Sequence, residues 1–114
     1  MKLVARGDVW LADLGKPTGH EQAEKRPVVI IQSDRFQHLG TTIVVPLTTA
    51  IPKDSNAVTH VAIPGGEGGL TESGYALCHH LRVLDRRKLL KKYGELPPYR
   101  LGEIEAAVAF ILEL

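Results

Sequence analysis

The chain has 114 residues with 14 Lys and Arg against 13 Asp and Glu, so its length suits one domain and its net charge of +1 neither demands nor excludes a polyanionic partner. Apolar residues make up 44% and charged residues 24%, which excludes a disordered chain. One cysteine, Cys78, excludes an internal disulfide and points to a reducing compartment; with no apolar run long enough for a membrane span and too short an apolar start for a signal peptide, a cytoplasmic protein is expected.

Residues 8–14 (DVWLADL) read as a first strand ending at Gly15. Residues 27–33 (PVVIIQS) are almost continuously apolar, as in a strand covered on both faces. Residues 42–48 (TIVVPLT) form a third strand, and Pro46, which cannot donate to a ladder, places it at an edge or a bulge. A fourth strand spans residues 59–64, a Gly-rich turn residues 65–69, a fifth strand residues 75–84 and a sixth residues 90–96. Pro97 and Pro98 then change the period. Leu101, Ile104, Val108 and Ile111 make the stripe of an amphipathic helix with Pro98 in its first turn. Short strands followed by one helix predict a mainly β fold: a small antiparallel barrel or strongly curved sheet packed by a C-terminal helix, in a single domain over residues 1–114.

Residues 15–26 (GKPTGHEQAEKR) are a long, polar connection for a hairpin, and such loops on rigid strands often carry function. Arg26 stands directly before Pro27, which holds its backbone extended, so its guanidinium leaves from the mouth of a strand and suits a two-pronged grip on phosphate. Thr48 and Thr49 end the third strand and approach Arg26 if the second and third strands are neighbours. Of the histidines His20, His38, His60, His79 and His80, the adjacent pair His79 and His80 would point to opposite faces of a strand and not share an ion. No metal-binding spacing occurs, and residues 65–69 lack the Lys-Ser/Thr of a P-loop. Cys78 is expected in the core of a strand, and Trp10 and Phe110 in the core rather than on a base-stacking platform. The basic segment 82–92 beside the acidic tail 101–114 is either a local positive field or a solvated face.

Arg6-Gly7-Asp8-Val9-Trp10, Gly19-His20-Glu21-Gln22, Arg26-Pro27-Val28-Val29-Ile30, Val45-Pro46-Leu47-Thr48-Thr49 and Leu81-Arg82-Val83-Leu84-Asp85 follow in an order and spacing that resembles the MazF/PemK (Kid) family, the toxin half of type II toxin–antitoxin pairs. The resemblance spans nearly the whole chain. It implies a small SH3-like barrel of the MazF/PemK/CcdB type with a C-terminal helix, assembled as a homodimer. It implies a sequence-specific endoribonuclease (an mRNA interferase) that needs neither metal nor cofactor and cuts single-stranded mRNA by attack of the RNA's own 2′-hydroxyl. The products would carry a 2′,3′-cyclic phosphate and a 5′-hydroxyl, and a cognate antitoxin protein would block the groove. The family's catalytic Arg and Thr fall on Arg26 and Thr48, and its loop Glu on Glu21. Arg6, His20, Gln22, Thr49, His79, His80 and Arg82 fall on RNA-contacting positions.

That chemistry needs charge stabilisation on the phosphorane, a base for the 2′-hydroxyl and a proton for the leaving 5′-oxygen. Arg26 suits the first need and Thr48 a hydrogen bond to a phosphate oxygen. Glu21 is a candidate base, although an ordinary Glu near pKa ~4.3 is a poor one, and His20 beside it is the alternative. His20 stands where the family often has Ser, and His79-His80 where an acidic or polar residue followed by Gln is common. Whichever of that pair faces the groove is expected to shift the cleavage preference. Arg82, with Arg86 and Arg87, is expected to contact phosphates. Two other readings stay open: a CcdB-like toxin that binds DNA gyrase without cutting RNA, and an inactive RNA-binding homologue. The apolar run 108–112 (VAFIL) spans more than one helix face, either as deep core or as an interface.

Overall fold

The computed structural model describes residues 3–16, 24–53 and 57–114. Among these, the strands in chain order are β1 (Asp8–Asp13), β2 (Lys25–Ile30), β3 (Thr41–Thr48), β4 (His60–Ile63), β5 (Gly74–Leu77), β6 (Arg82–Asp85) and β7 (Leu89–Glu95), followed by the helix α1 (Pro98–Leu112). Every pairing is antiparallel, in the order β4-β5-β3-β2-β1-β7, with β6 also joined to β3.

The central strands are apolar at consecutive positions because both their faces are covered. Trp10, Ala12, Val28, Ile30, Val44, Leu84 and Leu89 bury into one cluster. Their neighbours Val9, Val29, Val45 and Leu47 enter a second, with Ile63, Ala76, Cys78 and Ile104. The helix closes that second cluster: Ile104 is fully buried, and Leu101, Val108 and Ile111 pack beside it, as the sequence stripe predicts. Pro98 begins the helix without a side-chain cap, where its missing N–H costs no helical bond.

The strand path is open, but its ends meet. The turn Glu67–Gly69 between β4 and β5 lies backbone to backbone on β7, so that a Cβ added at Gly69 (φ +78°) would stand 2.0 Å from the Tyr93 carbonyl oxygen. Only glycine allows both that conformation and that approach. Arg100 fixes the turn to α1: its Nε and Nη2 donate to the two oxygens of Glu67 at 2.7 and 3.0 Å, and Tyr99 adds a third donor at 3.0 Å. The sheet thereby curls into the expected barrel-like form with a C-terminal helix.

Three expectations need correction, and one of two alternatives is decided. The single strand over residues 75–84 is two strands, β5 and β6, separated by the 3-10 turn Cys78–His80. Their registers against β3 differ by three residues, and the turn holds those three. Of the two places the sequence offers Pro46, an edge or a bulge, the structure takes the second: β3 is interior, and Pro46 lies where the ladder on that side is interrupted, between the β6 partner Val44 and the β5 partner Leu47. His79 and His80 do not alternate across a strand, because the 3-10 turn sets their rings 4.2 Å apart. Phe110 is 68% exposed, since a residue two places from Val108 lies on the opposite side of a helix.

Candidate functional site

Arg26 and Thr48 reach the same place from neighbouring strands. β2 and β3 pair from Ile30 with Val44 to Val28 with Pro46, and the ladder stops there. Pro27, the next residue of β2 to face β3, has no N–H to extend it. Carried on by two places, the same register sets Arg26 opposite Thr48. A cleft opens between the parted strands, lined by Arg26, Thr48, Thr49, Glu72, Gly74 and Tyr75 around the apolar side chains of Leu47, Ile63 and Leu70.

Thr48 is buried, and its hydroxyl oxygen accepts the Ala50 N–H at 3.1 Å. That bond holds the side chain in one orientation and leaves the hydroxyl hydrogen to donate elsewhere. On its other side Thr48 pairs with Tyr75 of β5. A Cβ added at Gly74 would come within 2.5 Å of the Thr48 carbonyl oxygen, so the first residue of β5 has no room for a side chain and presses directly on the Thr48 backbone. Arg26 is half-buried on β2, paired with Ala12 of β1. Among the described residues none forms an ion pair with its guanidinium, and Arg26 lines the cleft.

His20, Glu21 and Gln22 lie outside the described residues. The segment that carries them is tied at both ends: the Leu14 N–H donates to the Glu24 carbonyl at 2.8 Å, two residues before Arg26. Thr49 is exposed at the cleft rim. The cleft does not include Arg6. The Arg6 guanidinium donates to the Ile31 carbonyl at 2.9 Å and pairs with Glu105 of α1 at 2.7 Å, at the far end of β2 from Arg26. Ile31 lies five steps along the extended chain from Arg26, about 16 Å.

His79, exposed, and His80, half-buried, stand on the turn after β5, and Arg82 pairs with Val44 of β3. All three sit along the same side of β3 as Tyr75 but outside the cleft lining. Arg86 donates to the Gln37 and Leu39 carbonyls, and Arg87 makes two bonds to Asp85, so both are held by local structure. Cys78 is fully buried, and burial pushes its thiol up to about 11, which suits packing and not nucleophilic attack. Among the described residues, no group of three or more His, Cys, Asp or Glu is placed to hold a metal ion, and no helix is long and apolar enough to cross a membrane.

Sequence reasoning missed Glu72 and Tyr75. Both follow a Gly-rich turn that looked like a plain connection, and the only available signal was an aromatic residue directly after Gly74.

The sequence pattern of the family described as PemK-like, MazF-like toxin of type II toxin-antitoxin system matches residues 5–112. The endoribonuclease MazF of Staphylococcus saprophyticus is 34% identical over 112 residues, covering 98% of this chain and 93% of that protein. An endoribonuclease solved in complex with its cognate antitoxin, from a mycobacterial species, superimposes with a TM-score of 0.81 at 26% identity over 98% of this chain and 97% of its own. MazF of Deinococcus radiodurans shares the fold, with a TM-score of 0.83 at 23% identity over the whole of both chains.

Proposed function

The chain belongs to the PemK-like, MazF-like toxins of type II toxin–antitoxin systems and is a homologue of endoribonuclease MazF, and from that premise we propose that it cuts single-stranded mRNA at a short preferred sequence, without a metal ion, using the cleft between β2 and β3. The observation that carries this reading is the convergence of Arg26 and Thr48 on one cleft. A guanidinium and a hydroxyl donor aimed into a partly apolar recess are placed to grip a phosphodiester and to stabilise the extra charge of a phosphorane.

In the reaction the 2′-oxygen of the RNA attacks the adjacent phosphorus and the bond to the 5′-oxygen breaks. The 2′-hydroxyl proton passes to a base, and the leaving 5′-oxygen takes a proton from solvent. Arg26 stabilises the phosphorane and Thr48 donates to a non-bridging oxygen. Glu21 is the base, with His20 as the alternative, on the segment tethered beside Arg26. Gln22, Thr49, His79, His80 and Arg82 contact the RNA along the same side of β3. Arg6, tied to Ile31 and Glu105, supports the end of β2 and contacts RNA only if that pairing yields.

A separate antitoxin protein holds the chain inactive, a reading supported by the solved complex of the mycobacterial endoribonuclease. Two copies of the chain form a dimer. The exposed apolar residues Phe110, Leu112 and Leu114 at the end of α1 support this, and sedimentation at micromolar concentration checks it.

The test is cleavage of a long unstructured RNA in excess EDTA, beside Arg26→Ala, with the product ends mapped. Cuts at a recurring short sequence with 5′-hydroxyl ends, lowered about 100- to 1000-fold in the variant, support the reading. No cutting by the folded, antitoxin-free protein overturns it and turns attention to gyrase.

A further inference from the structure

We infer that Tyr75 is a substrate-positioning residue, whose ring stacks on a base flanking the scissile phosphate and so helps to set which sequence is cut. This rests on the ribonuclease reading and adds to it a residue that the family motifs do not mark.

Tyr75 is the register partner of Thr48, and directly paired residues project on the same face with Cβ atoms about 5 Å apart. The Tyr75 and Thr48 side chains thus leave neighbouring strands side by side, and both line the cleft with Arg26. Arg26, Thr48 and Tyr75 make a row across three strands. β3 and β5 still pair at this level, so Thr48 and Tyr75 stand one strand spacing apart, about 4.8 Å, with Arg26 across the opening from them. The ring is half-buried and stands at 86° to that of His60, with centroids 5.5 Å apart, so it is braced in place. Leu47, Ile63 and Leu70 make the adjoining floor apolar. An apolar recess with an aromatic wall beside an anion grip matches one nucleotide: its phosphate on Arg26 and Thr48, its base against Tyr75. Trp10 is buried in the other cluster and Tyr99 is bonded to Glu67, so neither serves this cleft.

The experiment uses the full chain and short single-site RNAs, intact or abasic at each of the two positions flanking the cut. Tyr75→Ala and Tyr75→Leu remove the ring, the second while keeping bulk so that the fold survives; Tyr75→Phe keeps it. The expected result is a KM raised about 5- to 100-fold by Ala or Leu, within the range of base stacking, with kcat changed much less and Phe close to the parent. An abasic site at one flanking position should weaken the parent and Tyr75→Phe by a similar factor, yet leave Tyr75→Leu unchanged. Equal sensitivity of parent and Tyr75→Leu to the abasic site overturns the proposal, as does weaker binding of an antitoxin with unaltered RNA kinetics. If the parent chain cuts no RNA at all, the ribonuclease reading fails and this proposal with it. If it cuts and the variants match it, only the role of Tyr75 fails.

Discussion

Arg26 and Thr48 stand opposite one another on β2 and β3 at a level where the two strands no longer pair. Pro27, which has no N–H to offer β3, ends the ladder and turns what would be continuous sheet into a cleft, and the same parting lets a buried hydroxyl face an open space. Because the Thr48 oxygen is already engaged by the Ala50 N–H, the hydroxyl is oriented before any substrate arrives. Thr48→Ser should keep most of the activity, and Thr48→Val, of equal shape without the donor, should lower kcat about 100-fold or more at little change in KM. Single-turnover cleavage of one RNA by the three proteins checks it.

Gly74 tests whether the Thr48 backbone must sit where it does. An added methyl would stand 2.5 Å from the Thr48 carbonyl oxygen, so β3 or β5 must give way. Gly74→Ala is expected to cost about 1–3 kcal/mol of stability, as overpacking does, and to lower kcat at least tenfold in protein that remains folded. Urea unfolding and cleavage rates on the same preparation separate the two effects.

Asp8 is 1% exposed, and its oxygens accept the Ala5 N–H at 2.9 Å and the Trp10 indole N–H at 3.3 Å, with Lys92 at 3.4 Å. Asp8→Ala leaves two donors without a partner under the start of β1. It should destabilise by about 2–4 kcal/mol, while the activity of the folded fraction is retained because Asp8 lies away from the cleft. The shift in urea midpoint is the measurement.

Acid should loosen the structure through two carboxylates. Arg100 holds the Glu67 carboxyl below its usual range, and Arg87 holds that of Asp85 at about 2. A carboxyl lowered in the folded state stabilises above its unfolded pKa, and that share is lost as the pH falls through the folded value. Stability should therefore decline from about pH 4.5 downward, and continue to decline toward pH 2 for the share of Asp85. Glu67, whose side chain is only 17% exposed, should matter more than Asp85, whose partner Arg87 is 89% exposed and screened by water. Glu67→Gln should be less stable at neutral pH and show a flatter acid slope. Urea midpoints taken from pH 7 to pH 3 read both.

Local features carried far in this chain. The apolar run of β2, the helical stripe of α1 and the position of Arg26 before Pro27 all follow from residues a few places apart, and each appears where the sequence pattern predicts. Pairing Arg26 with Thr48 needed one further condition, that β2 and β3 be neighbours, which the structure meets. The stretch 75–84 misled for a physical reason: an apolar run has no marker for a register slip, and Cys78–His80 leave the strand only because β5 and β6 meet β3 three residues out of step.

Chemistry set by residue type and short spacing, namely a guanidinium at a strand mouth, a hydroxyl at a strand end and an amphipathic last helix, was contained in the order of amino acids. Which of these came together was a matter of register. The packing of side chains into two clusters fixes how the strands align, and that alignment, formed between residues far apart in the chain, brings Glu72 and Tyr75 to the cleft and holds Arg6 at the other end of β2.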